Sequence, residues 1–343
     1  MRRPLRVLLC DDSAFARKVL RDVLAQAPSI EVVGTARDGL DALEKIAALR
    51  PDVITVDLVM PHLDGLGLLT ELGTDGPRAV VVSSSAEDSD LVVRALQAGA
   101  ITSVQKPTAL ATDRLYEIGA EVVRAVLLAG DARPATDPAP VPVIPVPVPT
   151  GVARVDVVAI GASTGGPRAI TRVLESLPAS FPAPIVLVVH MPVGYTDAFA
   201  RRLDETCALE VIEAHDGIEL RPGRVVIARA GMHLVVGRTR SGLVGRLDVQ
   251  PLGTAHRPSV DVLFQSAATA GRVLGVVLTG MGNDGTSGAR AIRAAGGEVI
   301  VESASSCVVY GMPRSVVEAG LASGDAPIDG IAALIIERAV EPA

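Results

Sequence analysis

The stretch from Val158 to Pro167 reads VAIGASTGGP, and it decides how the second half of the chain is interpreted. An apolar run ends in a glycine, Ser163 stands between small residues, and a proline follows where a first helical turn would begin. This order predicts a buried strand, a sharp turn and a helix. The G-x-S-x-G pattern at 161–165 leaves two interpretations for Ser163: the cap of a helix, or a nucleophile raised above a strand.

Length and composition limit the class of protein. The chain has 343 residues, enough for about two domains. The net charge is −7 and no basic block stands out, which argues against nucleic-acid binding through phosphate neutralisation. Cys10, Cys207 and Cys307 lie far apart with no CxxC pair, which excludes a zinc ribbon and fits a reducing compartment.

The sequence shows neither a targeting segment nor a membrane span. The apolar run near the N-terminus is too short for a signal peptide, and no stretch reaches the roughly 18 apolar residues of a membrane helix. We therefore expect a cytoplasmic protein without membrane insertion.

A proline-rich segment divides the chain. Residues 131–150 read DARPATDPAPVPVIPVPVPT, and the prolines exclude both a helix and a central strand. Such a segment is typical of a semi-rigid tether. We predict a first domain at 1–130, a proline-rich linker at 131–150 and a second domain at 151–343.

Strand-like and helical patterns alternate in the first domain, which predicts a doubly wound, parallel, five-stranded α/β sheet. The predicted strands are Leu5–Cys10, Glu31–Ala36, Val53–Asp57, Ala79–Ser83 and Ile101–Val104. The predicted helices lie near 13–27, 38–49, 64–72, 88–98 and 112–129.

The second domain repeats this style and is predicted to be another doubly wound α/β unit. Its predicted strands are Val155–Ile160, Ile185–His190, Val273–Thr279 and Glu298–Val301. A β-rich cluster at 209–250 is interpreted as a β-hairpin insertion. The predicted helices lie near 166–177, 196–206, 259–270, 285–295 and 330–339. Ligand chemistry is expected at the carboxyl ends of the parallel strands.

Polar side chains stand where the strands of the first domain end. These are Asp11, Asp12, Asp57, Ser83 and Lys106. The carboxyl ends of parallel strands share one edge, so we expect the five side chains to lie together. Three carboxylates repel one another unless a cation joins them, and oxygen ligands of this kind suit Mg²⁺. A lysine and a hydroxyl beside a carboxylate would balance the charge of an attached phosphoryl group.

This DD…D…S…KP arrangement resembles a response-regulator receiver domain over residues 5–129. The resemblance implies that Asp57 accepts the phosphoryl group and that Asp11 and Asp12 hold Mg²⁺ with it. It also implies that Ser83 is the switch hydroxyl and Lys106 the phosphate partner. Two positions depart from the family pattern: Ser103 stands where an aromatic residue is usual, and Val59 where a polar one is common.

A catalytic serine needs a base, and the base needs an orienting carboxylate. His190 ends the apolar run IVLVVH and should therefore surface at the same sheet edge as Ser163. Asp284 lies in a glycine-rich turn after VLGVVLTG, although a helix cap is an alternative role for it. One strand end for each residue is what a triad requires. The order Ser…His…Asp differs from that of α/β-hydrolases, which argues for another fold.

The segments AIGASTGGP, VVHMP, HRPSVDVLF, VLTGMGNDG and VVYGMP together resemble the chemotaxis protein-glutamate methylesterase family, CheB. The resemblance implies Ser163 as nucleophile, His190 as base and Asp284 as the residue that orients it. It places the oxyanion contacts on Thr164 and on the backbone N–H of Met281.

The same resemblance implies an activity and its partners. The expected reaction is hydrolysis of glutamate γ-methyl esters on methyl-accepting chemoreceptors, with deamidation of receptor glutamines and no cofactor in the catalytic domain. A chemotaxis histidine kinase would be the phosphodonor, and phosphorylation of Asp57 would activate the enzyme. Glu302-Ser303-Ala304 departs from the family pattern.

Several alternatives stay open at this point. The second domain could be a signalling scaffold that binds a partner without turnover. A nucleotide site at 161–166 is disfavoured because the segment lacks both G-x-G-x-x-G spacing and a Walker lysine. A DNA-binding output is disfavoured because no basic helix-turn-helix pattern follows the linker. His256 and Arg257 either line the cleft or are structural, and the remaining histidines, His62, His215 and His233, are expected to be surface or structural residues.

Overall fold

The computed structural model describes residues 3–73, 75–83, 89–106, 118–132 and 152–341. The chain forms two compact units, Met1–Thr136 and Asp137–Ala343. The predicted linker lies outside the described residues except at positions 131 and 132, as does the start of the predicted helix at 112–129.

The first unit contains a parallel five-stranded sheet with the order β2-β1-β3-β4-β5, as predicted. The strands are β1 (Leu5–Cys10), β2 (Ile30–Ala36), β3 (Val53–Val56), β4 (Arg78–Ser83) and β5 (Thr102–Gln105). The helices are α1 (Ala14–Leu24), α2 (Gly39–Leu49), α3 (Gly65–Leu72), α4 (Ser89–Gln97) and α5 (Gly119–Asp131). The middle strand β3 reads VITV and is buried along its whole length, which is typical of a parallel sheet covered on both faces.

The second unit is built on a parallel seven-stranded sheet with the order β16-β15-β14-β7-β8-β11-β9. Its strands are β7 (Val157–Ala162), β8 (Ile185–Val189), β9 (Glu210–Glu213), β11 (Arg224–Ile227), β14 (Val273–Val277), β15 (Glu298–Glu302) and β16 (Gly324–Ala326). Its helices are α6 (Gly166–Glu175), α7 (Tyr195–Thr206), α8 (Val260–Ala270), α9 (Thr286–Ala294), α10 (Met312–Glu318) and α11 (Ile328–Ala339). Helix α10 was not predicted.

Two smaller antiparallel sheets complete this unit. One has the order β10-β13-β12, formed by β10 (Ile218–Leu220), β12 (His233–Thr239) and β13 (Gly242–Asp248). The other pairs β6 (Val152–Ala153) with β17 (Val340–Glu341).

The hairpin interpretation of 209–250 is therefore correct only in part. Strands β10, β12 and β13 are antiparallel, but β9 and β11 are parallel strands of the main sheet. The segment RVVI of β11 is largely buried and pairs with β8 on one side and β9 on the other. A short apolar run of this kind has the same pattern whether its neighbours are parallel or antiparallel.

Close packing of α8 on β7 shapes the sheet edge at which Ser163 lies. A Cβ atom at Gly161 would stand 2.3 Å from Cγ1 of Val260, so only glycine admits this contact. Val260, Leu263 and Phe264 are fully buried in the core that α8 forms with the sheet. The helices of the described residues include none that is both long and apolar enough to cross a membrane.

Candidate active site

Three neighbouring strands deliver the predicted triad to one edge of the seven-stranded sheet. Ser163 follows the last residue of β7, and His190 follows the last residue of β8. Asp284 lies in the loop between β14 and α9. Strands β14, β7 and β8 are adjacent in the sheet and parallel, so their carboxyl ends lie side by side.

The backbone of Ser163 is held on both sides. Its N–H donates to the carbonyl of Thr279 at 3.0 Å, and its own carbonyl accepts from the N–H of Gly166 at 2.6 Å. Gly165 has φ of 76° and precedes α6, a left-handed conformation that favours glycine. Ser163 therefore sits on a sharp turn between strand and helix, as the G-x-S-x-G pattern predicts.

His190 and Asp284 form a hydrogen-bonded pair. Nε2 of His190 lies 2.9 Å from Oδ2 of Asp284, and the two side chains are 9% and 12% exposed. Burial alone would raise the pKa of Asp284, but hydrogen bonds from His190 and from the N–H groups of Asp261 and Val260 outweigh it and hold that pKa at about 2. Asp284 is thus ionised at neutral pH.

The pairing assigns different roles to the two ring nitrogens of His190. Nε2 faces a carboxylate, which only accepts hydrogen bonds, so the proton of the neutral ring lies on Nε2. Nδ1 is buried and has no hydrogen-bond partner among the described residues. Nδ1 is therefore the nitrogen that can accept a proton, and the part of the chain that is described contains no hydrogen bond between it and Ser163.

His256 stacks on the ring of His190. The ring centroids are 4.0 Å apart and the planes are inclined by 20°. Burial, followed by the nearby charge of His190, lowers the pKa of His256. His256 thus lines the candidate site. Of the two roles that the sequence left open, cleft-lining or structural, this position fits the first.

Two backbone N–H groups beside Ser163 lack acceptors. Within the described ranges, neither the N–H of Thr164 nor that of Met281 donates a hydrogen bond. The carbonyl of Thr164 accepts a hydrogen bond from Oγ1 of Thr279 at 3.0 Å. This bond connects the turn at 163–165, called the nucleophile turn below, to the loop after β14. Free N–H groups close to a serine are the donors that an oxyanion site requires.

The first unit gathers its predicted residues at the equivalent sheet edge. Carboxylate oxygens of Asp11, Asp12 and Asp57 lie within 4.8 Å of one another, a donor set that suits Mg²⁺. Nζ of Lys106 lies 2.7 Å from Asp11 Oδ2 and 2.5 Å from Asp57 Oδ2. Ser83 is buried at the end of β4. Burial favours the neutral amine of Lys106, but the two carboxylates outweigh this and raise its pKa.

Comparison with known protein families assigns a family to each of the two units. Residues 158–335 match the family described as CheB methylesterase, and residues 7–117 match the response regulator receiver domain. The chain belongs to the CheB methylesterase family. It is thus a chemotaxis-type methylesterase that carries a receiver domain.

Individual relatives support this placement in the CheB family. The chain is 61% identical over 338 residues to protein-glutamate methylesterase/protein-glutamine glutaminase 5 of Myxococcus xanthus, which covers 97% of each chain. It is 44% identical over 344 residues to the protein of the same name from Geobacillus kaustophilus, covering 98% of this chain and 99% of that one. The crystal structure of the Thermotoga maritima CheB methylesterase catalytic domain superposes with a TM-score of 0.52 at 44% identity, over 53% of this chain and 97% of that one.

The departure from the CheB pattern at 302–304 has a structural role. Glu302 is 1% exposed, and its carboxylate accepts from the N–H of Thr279 and the hydroxyl of Ser306, both at 2.8 Å. Burial raises the pKa of this carboxyl. Because Thr279 also holds Ser163 and Thr164, Glu302 supports the nucleophile turn from beneath, a role that the sequence did not indicate.

The other histidines and the two receiver departures occupy different environments. His62 and His215 are exposed, whereas His233 is buried and bonded to the N–H of Ser259 at 3.2 Å. Ser103 lies within β5, and Val59 is 55% exposed beside the carboxylate of Asp57.

Proposed function

We propose that this chain hydrolyses glutamate γ-methyl esters, and deamidates glutamines, on methyl-accepting chemoreceptors. The observation that carries the proposal is the His190–Asp284 pair at the strand ends that flank Ser163. The names of the Myxococcus and Geobacillus relatives, protein-glutamate methylesterase/protein-glutamine glutaminase, agree with this substrate class.

In the proposed mechanism, Oγ of Ser163 attacks the ester carbonyl while Nδ1 of His190 takes its proton. The N–H groups of Thr164 and Met281 bind the oxyanion, and each such donor lowers the barrier by about 3 kcal/mol. Methanol leaves with the proton returned by His190. Water then resolves the acyl-enzyme, and Asp284 stays ionised and holds the ring in place. Deamidation follows the same steps with ammonia as the leaving group.

Methanol release from methylated receptor membranes tests this proposal. We expect the full chain to release methanol and Ser163→Ala to release none. Ser241→Ala is a matched control because Ser241 is an exposed hairpin residue. A wild-type chain without methanol release would instead support a receptor-binding scaffold without turnover.

We further propose that phosphorylation of Asp57 activates the esterase, with a chemotaxis histidine kinase as phosphodonor. Asp11, Asp12 and Asp57 would hold Mg²⁺, which supplies positive charge to the phosphoryl oxygens when bound. Lys106 and the hydroxyl of Ser83 would contact the attached phosphoryl group. The proposed division into domains 1–130 and 151–343, joined by the linker 131–150, gives the receiver and the esterase separate folds.

Esterase rates with and without a small-molecule phosphodonor test this regulation. The rate of the full chain should rise when the donor and Mg²⁺ are added, and the rate of Asp57→Asn should not. Asp75→Asn, at an exposed position of the same unit, should respond like the wild type. Equal responses of the wild type and Asp57→Asn would rule out Asp57 as the phosphoacceptor.

A further inference from the structure

Two aspartates cap each other's helices beside the candidate triad. Asp284 lies two residues before the start of α9, but its carboxylate accepts the N–H groups of Val260 and Asp261 in the first turn of α8, both at 2.9 Å. Asp261 in turn accepts the N–H groups of Gly285 and Gly288 at the start of α9, at 2.9 and 2.7 Å. Each carboxylate therefore satisfies N–H groups that the other's helix leaves open.

Neither helix has a side-chain cap of its own. Ser259 precedes α8 but accepts no N–H from it, and its hydroxyl donates to Asp284 Oδ1 at 2.9 Å. Gly285 precedes α9 with φ of 101° and has no side chain to offer. The N–H groups at the N-termini of α8 and α9 thus depend on Asp284 and Asp261, respectively, for their side-chain acceptors.

The helices approach closely where this pair lies. A Cβ atom at Gly288 would stand 2.4 Å from the Cβ of Phe264 and 3.1 Å from the Cα of Asp261. The glycine allows a single oxygen of Asp261, Oδ1, to accept both N–H groups of α9. Asp261 therefore fixes the backbone next to Asp284.

We propose that Asp261 is a positioning residue for the esterase reaction and acts through Asp284. Oδ2 of Asp284 accepts from both Val260 N–H and His190 Nε2, so its position follows that of α8 and α9 together. Without the Asp261 carboxylate, the N–H groups of Gly285 and Gly288 lose their acceptor, and the backbone that carries Asp284 is held less firmly. The inference rests on the proposed esterase function and adds to it a residue that does not contact the substrate.

Three variants of the full chain test the proposal. Asp261→Ala removes the acceptor oxygen, whereas Asp261→Asn keeps an amide oxygen in the position of Oδ1. Asp204→Ala is the matched control, because Asp204 also accepts a backbone N–H, that of Val211 at 2.8 Å, beside the edge strand β9. For each variant, kcat and KM for methanol release are measured well below its melting temperature.

We expect Asp261→Ala to lower kcat by about tenfold or more with KM changed by less than about twofold, because misplaced catalytic groups reduce the rate of the chemical step. Asp261→Asn should keep kcat within about threefold of the wild type, since it retains the acceptor. The low-field ¹H NMR signal of the His190 N–H bonded to Asp284 should persist in Asp261→Asn and be lost in Asp261→Ala.

The proposal is overturned if Asp261→Ala retains wild-type kcat, or if Asp204→Ala with a similar drop in melting temperature loses as much kcat. Equal losses in Asp261→Asn and Asp261→Ala would also overturn it. If the wild-type chain releases no methanol, the proposed function fails, and the NMR signal alone decides the role of Asp261. Its persistence in Asp261→Ala would then reject that role.

Discussion

Asp284 binds His190 through Nε2 at 2.9 Å and leaves Nδ1 as the only ring nitrogen able to take a proton. The carboxylate also accepts bonds from Ser259, Val260 and Asp261, so the start of α8 fixes its position, while its own backbone leads into α9. The orientation of the His190 imidazole therefore depends on how α8 and α9 hold Asp284, and not only on the hydrogen bond between the two side chains.

Replacement of Asp284 by asparagine should reverse the tautomer of His190. The amide can donate to Nε2, which moves the ring proton to Nδ1 and removes the proton acceptor that the proposed mechanism requires. We expect kcat to fall by about 10⁴-fold, the effect of such a change in other triads. Steady-state methanol release by the full chain measures it. A loss below about tenfold would show that Nδ1 is not the base.

Stability should depend on the ionisation of Asp284 at low pH. Its pKa is about 2 in the folded chain, below the unfolded value of about 3.9. A lowered carboxyl pKa contributes stability that is complete above the unfolded pKa and is lost as the pH falls through the folded one. We expect the free energy of unfolding of the wild type, relative to Asp284→Asn, to drop by about 2 kcal/mol between pH 4 and pH 2.

Denaturant unfolding of both full-length proteins at each pH measures this difference. Parallel curves down to pH 2 would show that the carboxyl is not held in its charged form.

The stack of His256 on His190 should contribute to the rate. Removal of the ring in His256→Ala frees one face of the imidazole, and a stacked pair is worth about 1 kcal/mol, or about fivefold in kcat. His256→Phe keeps a stacking surface without a titratable group and should retain most of the activity. Identical kcat values for His256→Ala and the wild type would exclude a role for the stack.

The sequence was sufficient to place several candidate side chains at the ends of parallel strands. Parallel strands carry their last residues to a common edge, so the positions of Ser163, His190 and Lys106 followed from where apolar runs stop. Asp284 was predicted in the same way, although its loop extends well beyond β14.

What the sequence did not reveal depends on contacts between distant segments. The ring nitrogen that meets Asp284 is set by the direction from which α8 and α9 approach, and no local pattern encodes it. The reciprocal caps of Asp261 and Asp284 and the support of Thr279 by Glu302 likewise join residues far apart in the chain. The glutamate at the end of the apolar strand EVIVE was the one available signal, because a buried carboxylate requires donors.

Gly280 should tolerate no side chain. An added Cβ would lie 2.8 Å from the Cβ of Ser163 and 2.4 Å from Sδ of Met312; the methionine side chain can move, but relief of the first contact requires Ser163 or Gly280 itself to shift. A shift of about 1 Å in a reacting group costs about 100-fold in rate, and we expect a loss of this order in kcat. Gly253→Ala is the matched control, since its Cβ would meet nothing within 4 Å. A wild-type kcat in Gly280→Ala would show that the backbone around Ser163 accommodates the added methyl group without loss of activity.

Lys106 should stabilise the first unit and compete with Mg²⁺ for its carboxylates. Its ammonium lies between the buried carboxylates of Asp11 and Asp57, so Lys106→Ala leaves their charges without a counter-ion. Breaking a buried pair in this way costs about 3 kcal/mol, whereas Lys45→Ala, at the partly exposed pair with Asp41, should cost less than about 1 kcal/mol.

Mg²⁺ separates this electrostatic effect from a loss of packing. With Lys106 absent, the cation meets uncompensated carboxylates and should bind more tightly, so added Mg²⁺ should raise the melting temperature of Lys106→Ala more than that of the wild type. Lys45→Ala should respond to Mg²⁺ as the wild type does. If Lys106 and Mg²⁺ compete for the same carboxylates, removal of the lysine must strengthen Mg²⁺ binding. Equal stabilisation of Lys106→Ala and the wild type by Mg²⁺ would therefore show that these carboxylates do not form the cation site.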